Sequence, residues 1–475
     1  MENAERVLHY FEEISRIPRS SGDEKAISDY LVLFAKEHGF EVTQDESFNV
    51  VIKKPATVPN CSCAPVIIQG HTDLVYVREE GCRRLYEDGL ELEYKDGWLS
   101  AVGTTLGADN GVAVAFALAV LESKTMPHPD IEAVFTSSEE VGLLGAEHLD
   151  CSQLSGKYLL NLDTETEGVF FTSCAGAFRN ELIIPIQREA VVGLQSYSVR
   201  ISDLEGGHSG MEIKEGRANA IVLMARILSK LGSDVHLYSL EAEGKTNAIS
   251  NNAAAEFLVE EDKLSRVTSL IKELEAEFKN EYGKRDNITI DVVQGDKHDA
   301  ICYNEESRKK VTAAMMLLPC GVLSMSFNIP DLVETSANPG YVEQNNNDLA
   351  ILSLARSSVG SRKSELKAKY AAIAEFCGGE SICTADYPQW EYRENSPLRT
   401  LAMSTYTELF NKEAQTCAIH AGLECGYFDE RLDGVDIISY GPEVHDVHTP
   451  KERANIESLE RVWLLTQSIL QKLAK

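Results

Sequence analysis

Apolar residues recur at three- and four-residue spacing over 5–17, the mark of a helix with one buried face, and again over 25–38 after the break Ser20-Ser21-Gly22-Asp23. Short apolar runs then alternate with helical stretches: a strand at 66–70, a helix at 111–123, a strand at 131–136, a helix from 141 and a strand at 158–162. Buried strands separated by helices predict an α/β sheet with helices on both faces. Near 172–181 the pattern changes. A strand at 196–201, a helix at 218–231, strands at 235–240 and 254–259 and a helix at 262–281 make one α+β unit. A similar order follows, with a strand at 288–293, a helix at 305–318, strands at 321–328 and 349–355, a helix at 361–376 and a strand at 381–385. After Pro397 a helix, a short strand at 416–419 and an amphipathic helix at 456–473 resume the first pattern. The chain therefore reads as an α/β domain in two pieces, 1–180 and 395–475, interrupted by an inserted α+β domain, 181–394, made of two similar halves.

Length and charge narrow the classes of function. A chain of 475 residues is long enough for two domains with substantial cores. Its 75 acidic residues outnumber 45 basic ones, and the formal net charge of −30 repels nucleic acid and anionic membrane surfaces, leaving small or cationic molecules as the expected partners. Residues 1–19 alternate charged and apolar positions without an apolar run, so neither a secretion signal nor a membrane anchor is expected, and the location read from this is cytoplasmic. Eleven scattered cysteines, an odd number, fit reduced thiols better than a disulfide framework. Cys61 and Cys63 form the one close pair, with no second pair at zinc-finger spacing, and read as free thiols in a loop.

The chemistry is concentrated where apolar strands end. His71-Thr72-Asp73 follows the strand ending at Gly70, at the edge where α/β sheets bind ligands. Residues two apart in extended chain point to one side, so His71 can hold a metal while Asp73 reaches its other ring nitrogen. Asp109, in Leu106-Gly107-Ala108-Asp109-Asn110-Gly111, opens a very apolar helix. It is either an N-cap or a carboxylate whose two oxygens bridge two cations. Glu139 and Glu140 leave the strand at 131–136 side by side, where they repel one another unless a cation compensates them. One can bind a metal while the other takes a proton from water. Asp163 ends a further strand in Asn161-Leu162-Asp163, and His448 lies far away in His445-Asp446-Val447-His448-Thr449-Pro450. The set of imidazoles and carboxylates suits two divalent ions, zinc above all, with manganese or cobalt as alternatives.

In their order along the chain these segments resemble the aminoacylase/dipeptidase zinc metallopeptidase family, over essentially the whole sequence. The resemblance implies a catalytic sheet domain and an inserted lid. It implies that His71 and Asp163 hold one metal, that Glu140 and His448 hold the other and that Asp109 bridges them, while Asp73 orients His71 and Glu139 is the general base. Glu205-Gly206-Gly207-His208-Ser209-Gly210 is similar to the family's lid segment and implies that His208 stabilises an oxyanion. Asn247 and Arg356 fall in segments similar to those that hold a substrate carboxylate, and Glu424 in one similar to a substrate-pocket loop, although the family's Thr-Asp ending is replaced by Leu423-Glu424. The implied reaction is metal-dependent hydrolysis of dipeptides, including aminoacyl-histidines such as β-alanyl-histidine. An N-acyl amino acid amidohydrolase with the same metal centre is the nearest alternative, and a non-catalytic binding protein on the same fold is the alternative of another class. A homodimer is compatible with the sequence and not required by it.

Overall fold

The helix Ala108–Glu122 is apolar on every side, so it must be covered on every side. The strand Val66–His71 covers one face and the helix Glu5–Ser15 another. The approach to the strand is close: a Cβ at Gly70 would collide with the Cβ of Ala113. These elements form the core of the first of two units seen in the computed structural model, which describes residues 4–59 and 61–475. The first unit comprises 1–174, 389–418 and 423–475, and the second 175–388 and 419–422.

The first unit is built on an eight-stranded sheet, in the order Glu41–Gln44, Val50–Lys54, Ile131–Thr136, Val66–His71, Tyr158–Asn161, Asp436–Ser439, Val169–Cys174 and Gln415–Ile419. Four central neighbours, 131–136, 66–71, 158–161 and 436–439, run parallel, and their carboxyl ends open on one edge. A smaller four-stranded sheet joins Leu92–Lys95 and Trp98–Ala101 to the hairpin Val444–His445 and Arg453–Asn455. The helix Ile456–Leu473 then returns to the core, where Trp463 sits edge-on to Phe116 with ring centroids 5.5 Å apart.

The second unit is an α+β body whose two halves share one strand order. In the first half, strand Arg188–Ser202, helix Ala220–Leu231, strands His236–Glu241 and Ala253–Val259, helix Leu264–Tyr282 and strand Thr289–Tyr303 give a sheet ordered second, third, first, fourth. The other half repeats this with strand Gly176–Pro185, helix Glu305–Leu317, strands Val333–Gln344 and Asp348–Ser357, helix Gly360–Cys377 and strand Glu380–Tyr387, plus an edge strand Gly321–Met325. The halves are nested and not successive, because the whole of the first lies between the opening strand of the second and its first helix.

Four expectations are corrected. A boundary at 180–181 would cut a continuous strand, since 176–185 pairs along its length with 348–357; the chain changes unit at 174–175. The helix expected from 141 starts at Leu144, because Gly142 and Leu143 both take positive φ (119° and 61°). Strand 333–344 was hidden by Asn338-Pro339-Gly340, which reads as a turn but here coincides with a register irregularity in the ladder. The strand near 288–293 continues to Tyr303 as an arm paired with 188–202, and its outer part is exposed, so it carries no apolar alternation. Among the described residues no helix is long and apolar enough to cross a membrane.

Trp463 is buried and packs edge-on against Phe116, so Trp463→Ala should cost about 3–5 kcal/mol. Thermal unfolding followed by circular dichroism checks this, and an unchanged midpoint would contradict it.

Candidate metal centre

The parallel strands deliver their last residues to one place. His71 is the final residue of its strand and is buried, with its backbone N–H donating to Asn110 Oδ1 at 3.2 Å. Its Nδ1 lies 3.1 Å from the carbonyl oxygen and 3.3 Å from Oδ1 of Asp73. Its Nε2 lies 3.0 Å from Asp109 Oδ1 and 3.6 Å from Asp163 Oδ1. His448 Nε2 lies 3.2 Å from the other Asp109 oxygen, Oδ2, and 2.8 Å from Glu140 Oε1. Asp109 thus presents one oxygen to each imidazole. His71, Asp109 and Asp163 form one group of donors within 4.8 Å of one another, and Asp109, Glu140 and His448 form a second. Glu139 joins His71 and Glu140 in a third. His445, three residues before His448, is turned elsewhere, with Nε2 2.7 Å from Glu443 Oε1 and its ring against Trp98.

Electrostatics shows what such packing demands. Burial raises the Asp163 carboxyl to about 8, His71 opposing it and Asp109, Glu424 and Glu140 adding to it. Burial likewise pushes Glu139 well above the usual carboxylate range. Asp109 is half-buried, and its hydrogen bonds to His448 and His71 hold it below that range. Those bonds, with the one to Glu140, raise His448 to about 10. Burial disfavours charge on His71, yet Asp109 and Asp73 hold its pKa well above the ordinary value. A half-buried carboxylate cluster gathered about two imidazoles is what a pair of divalent cations would relieve, and the mixed nitrogen and oxygen donors suit them. The residues fit the group.

Buried polar residues hold this centre, among them Glu24, which the sequence did not single out. Asp73, besides facing His71, accepts the backbone N–H of Glu139 (3.0 Å) and of Glu140 (3.2 Å) and the hydroxyl of Ser21 (2.8 Å). Glu24 accepts the N–H and the hydroxyl of Ser138 at 2.9 and 2.8 Å, fixing the turn that leads into Glu139. Glu424, expected at a substrate-pocket loop, is fully buried, and its Oε2 accepts Gln69 Nε2 at 2.5 Å and Thr136 Oγ1 at 2.7 Å. It braces strand ends, and burial raises it to about 7.

The remaining candidates belong to the second unit. His208 Nδ1 accepts the N–H of Gly210 (3.2 Å) and of Met211 (3.0 Å), so in the neutral ring the proton is on Nε2, free to donate. Burial and the charge of Arg356 lower its pKa and keep the ring neutral. Arg356 is buried, donates from Nη1 to the Tyr387 hydroxyl at 3.0 Å, and has no partner for Nε among the described residues. A Cβ at Gly210 would lie 3.1 Å from both Arg356 Nε and His208 Cε1, so Gly210 separates the two side chains. Asn247 is exposed, and its carbonyl accepts the N–H of Ser209 at 2.9 Å.

Comparison with known proteins decides the class. Residues 67–472 match the model of peptidase family M20/M25/M40. The chain belongs to this family. Cytosol non-specific dipeptidase of Escherichia coli (strain K12) is 34% identical over 98% of this chain and 96% of its own length. The solved structure of aminoacylhistidine dipeptidase from Vibrio alginolyticus superposes with a TM-score of 0.91 at 31% identity, over 99% of this chain and 98% of that one. Aminopeptidase PepT from Bacillus cereus ATCC 10987 shares the fold, with a TM-score of 0.57 at 18% identity over 100% of this chain and 99% of its own. As a member of this metal-dependent family the chain is a hydrolase acting on peptide bonds.

The raised Asp163 carboxyl makes a prediction for the ion-free protein. Its folded pKa exceeds its unfolded one, so the folded state holds the extra proton between about pH 4 and 8, and stability falls as pH rises through that window. The raised His448 contributes with the same sign from about 6.5 to 10. The thermal midpoint of chelated protein should fall from pH 5 to pH 8, and more gently in Asp163→Asn. Identical slopes in the two proteins would refute the assignment.

Proposed function

We propose that this chain is a cytoplasmic metallo-dipeptidase that hydrolyses dipeptides with a free carboxyl end, aminoacyl-histidines among them. The observation that carries the reading is Asp109, which gives one carboxylate oxygen to His71 and the other to His448 while Glu139 stands beside them. His71 and Asp163 would hold one divalent ion, Glu140 and His448 the other, and Asp109 both, with zinc the ion we favour over manganese or cobalt. Such ions, when bound, polarise the scissile carbonyl and acidify water. The cytosol dipeptidase and aminoacylhistidine dipeptidase similar to this chain along their full lengths support the choice of substrate.

The protein's own groups supply the rest. Glu139 has a pKa raised by burial, which suits a carboxylate that takes a proton from the attacking water and gives it to the leaving amine. Asp73 fixes the ring of His71 and, through the two backbone N–H groups it accepts, the direction in which Glu139 and Glu140 leave their strand. His208, with its proton on Nε2, is a neutral donor suited to a developing oxyanion. Arg356, a buried guanidinium with an unused Nε–H, suits the substrate carboxylate, and Asn247 is assigned to the same end of the substrate.

Metal-reconstituted protein tested on dipeptides, β-alanyl-histidine and N-acetyl amino acids should cleave the first two; activity confined to the acetylated compounds would replace the proposal with an amidohydrolase. Glu139→Gln should lower kcat by about 10²–10⁴-fold with two ions still bound. Arg356→Lys should raise KM for free dipeptides and leave dipeptide amides unaffected; an equal loss on both would remove Arg356 from the carboxylate.

A further inference from the structure

His448 and Glu452 share the loop of the hairpin formed by Val444–His445 and Arg453–Asn455. His448 meets Asp109, and Glu452 meets the backbone that carries Asp109. Glu452 is 2% exposed, and its carboxylate is saturated by four consecutive N–H groups. Oε2 accepts from Leu106 at 2.8 Å and Gly107 at 2.9 Å, and Oε1 from Ala108 at 2.8 Å and Asp109 at 3.3 Å. These N–H groups lie at or just before the first turn of the helix Ala108–Glu122, where no helical carbonyl can take them. They converge because Gly107 adopts a positive φ of 66°.

The opposite side of the same turn is held by Arg19, itself 1% exposed. Its Nη2 donates to the Gly107 carbonyl at 2.7 Å, and its Nη1 to the carbonyls of Thr72 (2.9 Å) and Asp73 (3.4 Å). A Cβ at Gly107 would lie 2.7 Å from Arg19 Nη2, so the turn has no slack on that side. Strand 453–455, which begins directly after Glu452, is in register with 98–101, tying the loop to the smaller sheet.

We infer that Glu452 is a positioning residue for the metal centre: by clasping residues 106–109 from the loop that bears His448, it sets the separation between Asp109 and His448. This rests on the dinuclear reading above. A carboxylate that merely capped the helix would stabilise the fold and leave metal affinity alone. One that spaces two ligands changes the affinity of the ion they share, by about 10–100-fold where a supporting hydrogen bond to a ligand is lost.

The test is cobalt(II) titration of chelated protein, read by equilibrium affinity and by the visible d–d absorption of each equivalent. Wild type should take two equivalents. E452Q keeps the size of the side chain but turns an NH₂ toward two of the four N–H groups, and it should bind the second equivalent about 10–100-fold more weakly with a shifted d–d band. E452D, too short to reach all four groups, should show the same pattern and serves in its place if E452Q does not fold. Wild-type affinities and spectra in the folded variant would overturn the inference alone. A wild-type protein that takes fewer than two equivalents would overturn the dinuclear reading, and this inference with it.

Discussion

Everything at the functional edge follows from one constraint: carboxylates forced together out of water must be compensated. Asp109, Glu139, Glu140 and Asp163 arrive from different segments because the parallel strands and the apolar helix end at the same edge, and none of those elements can be shifted without opening the core. The cost of this crowding appears in Asp163 and Glu139, whose carboxyls are driven toward the neutral form, and in the two histidines, which are drawn toward the charged one. The site is electrostatically incomplete as protein alone, and a pair of cations would complete it.

Geometry around that cluster is kept by buried acids of another kind. Glu24 and Asp73 pin the turn of Glu139 and Glu140 through backbone N–H groups, Glu452 does so for the turn of Asp109, and Glu424 ties the ends of two strands. Each sits where a residue with fewer acceptor sites would leave a buried donor unpaired. The labour is divided: one set of carboxylates crowds together at the strand ends, and the other accepts the N–H and hydroxyl donors of the segments that carry them.

Much of this was legible in the chain. Each of His71, Glu139 and Asp163 follows closely on an apolar run, and a strand's end is easy to read when the run before it is buried on both faces. The two-part first domain and the paired halves of the second were visible as a change and a return of pattern. The supporting residues were not. Glu24, Arg19 and Glu452 are single charged residues, and the main-chain groups they hold are distant in sequence, which leaves no mark on composition or periodicity. The contacts of Glu424 were equally unmarked, since the side chains it accepts from, Gln69 and Thr136, are far away in sequence. Strand 333–344 was lost because a proline and a glycine inside it imitate a turn.

The nesting of the second unit bears on how the chain is made. Ile183 pairs with Ala350 on one side and Glu380 on the other, so strand 176–185 leaves the ribosome long before either neighbour exists. In the interval the inserted half, 188–303, has all four strands of its own sheet and can form first. Its completion brings the waiting strand and the helix that begins at Glu305 to adjacent places, shortening the loop that the outer sheet must close. Until then a strand with both edges bare is exposed to misassociation.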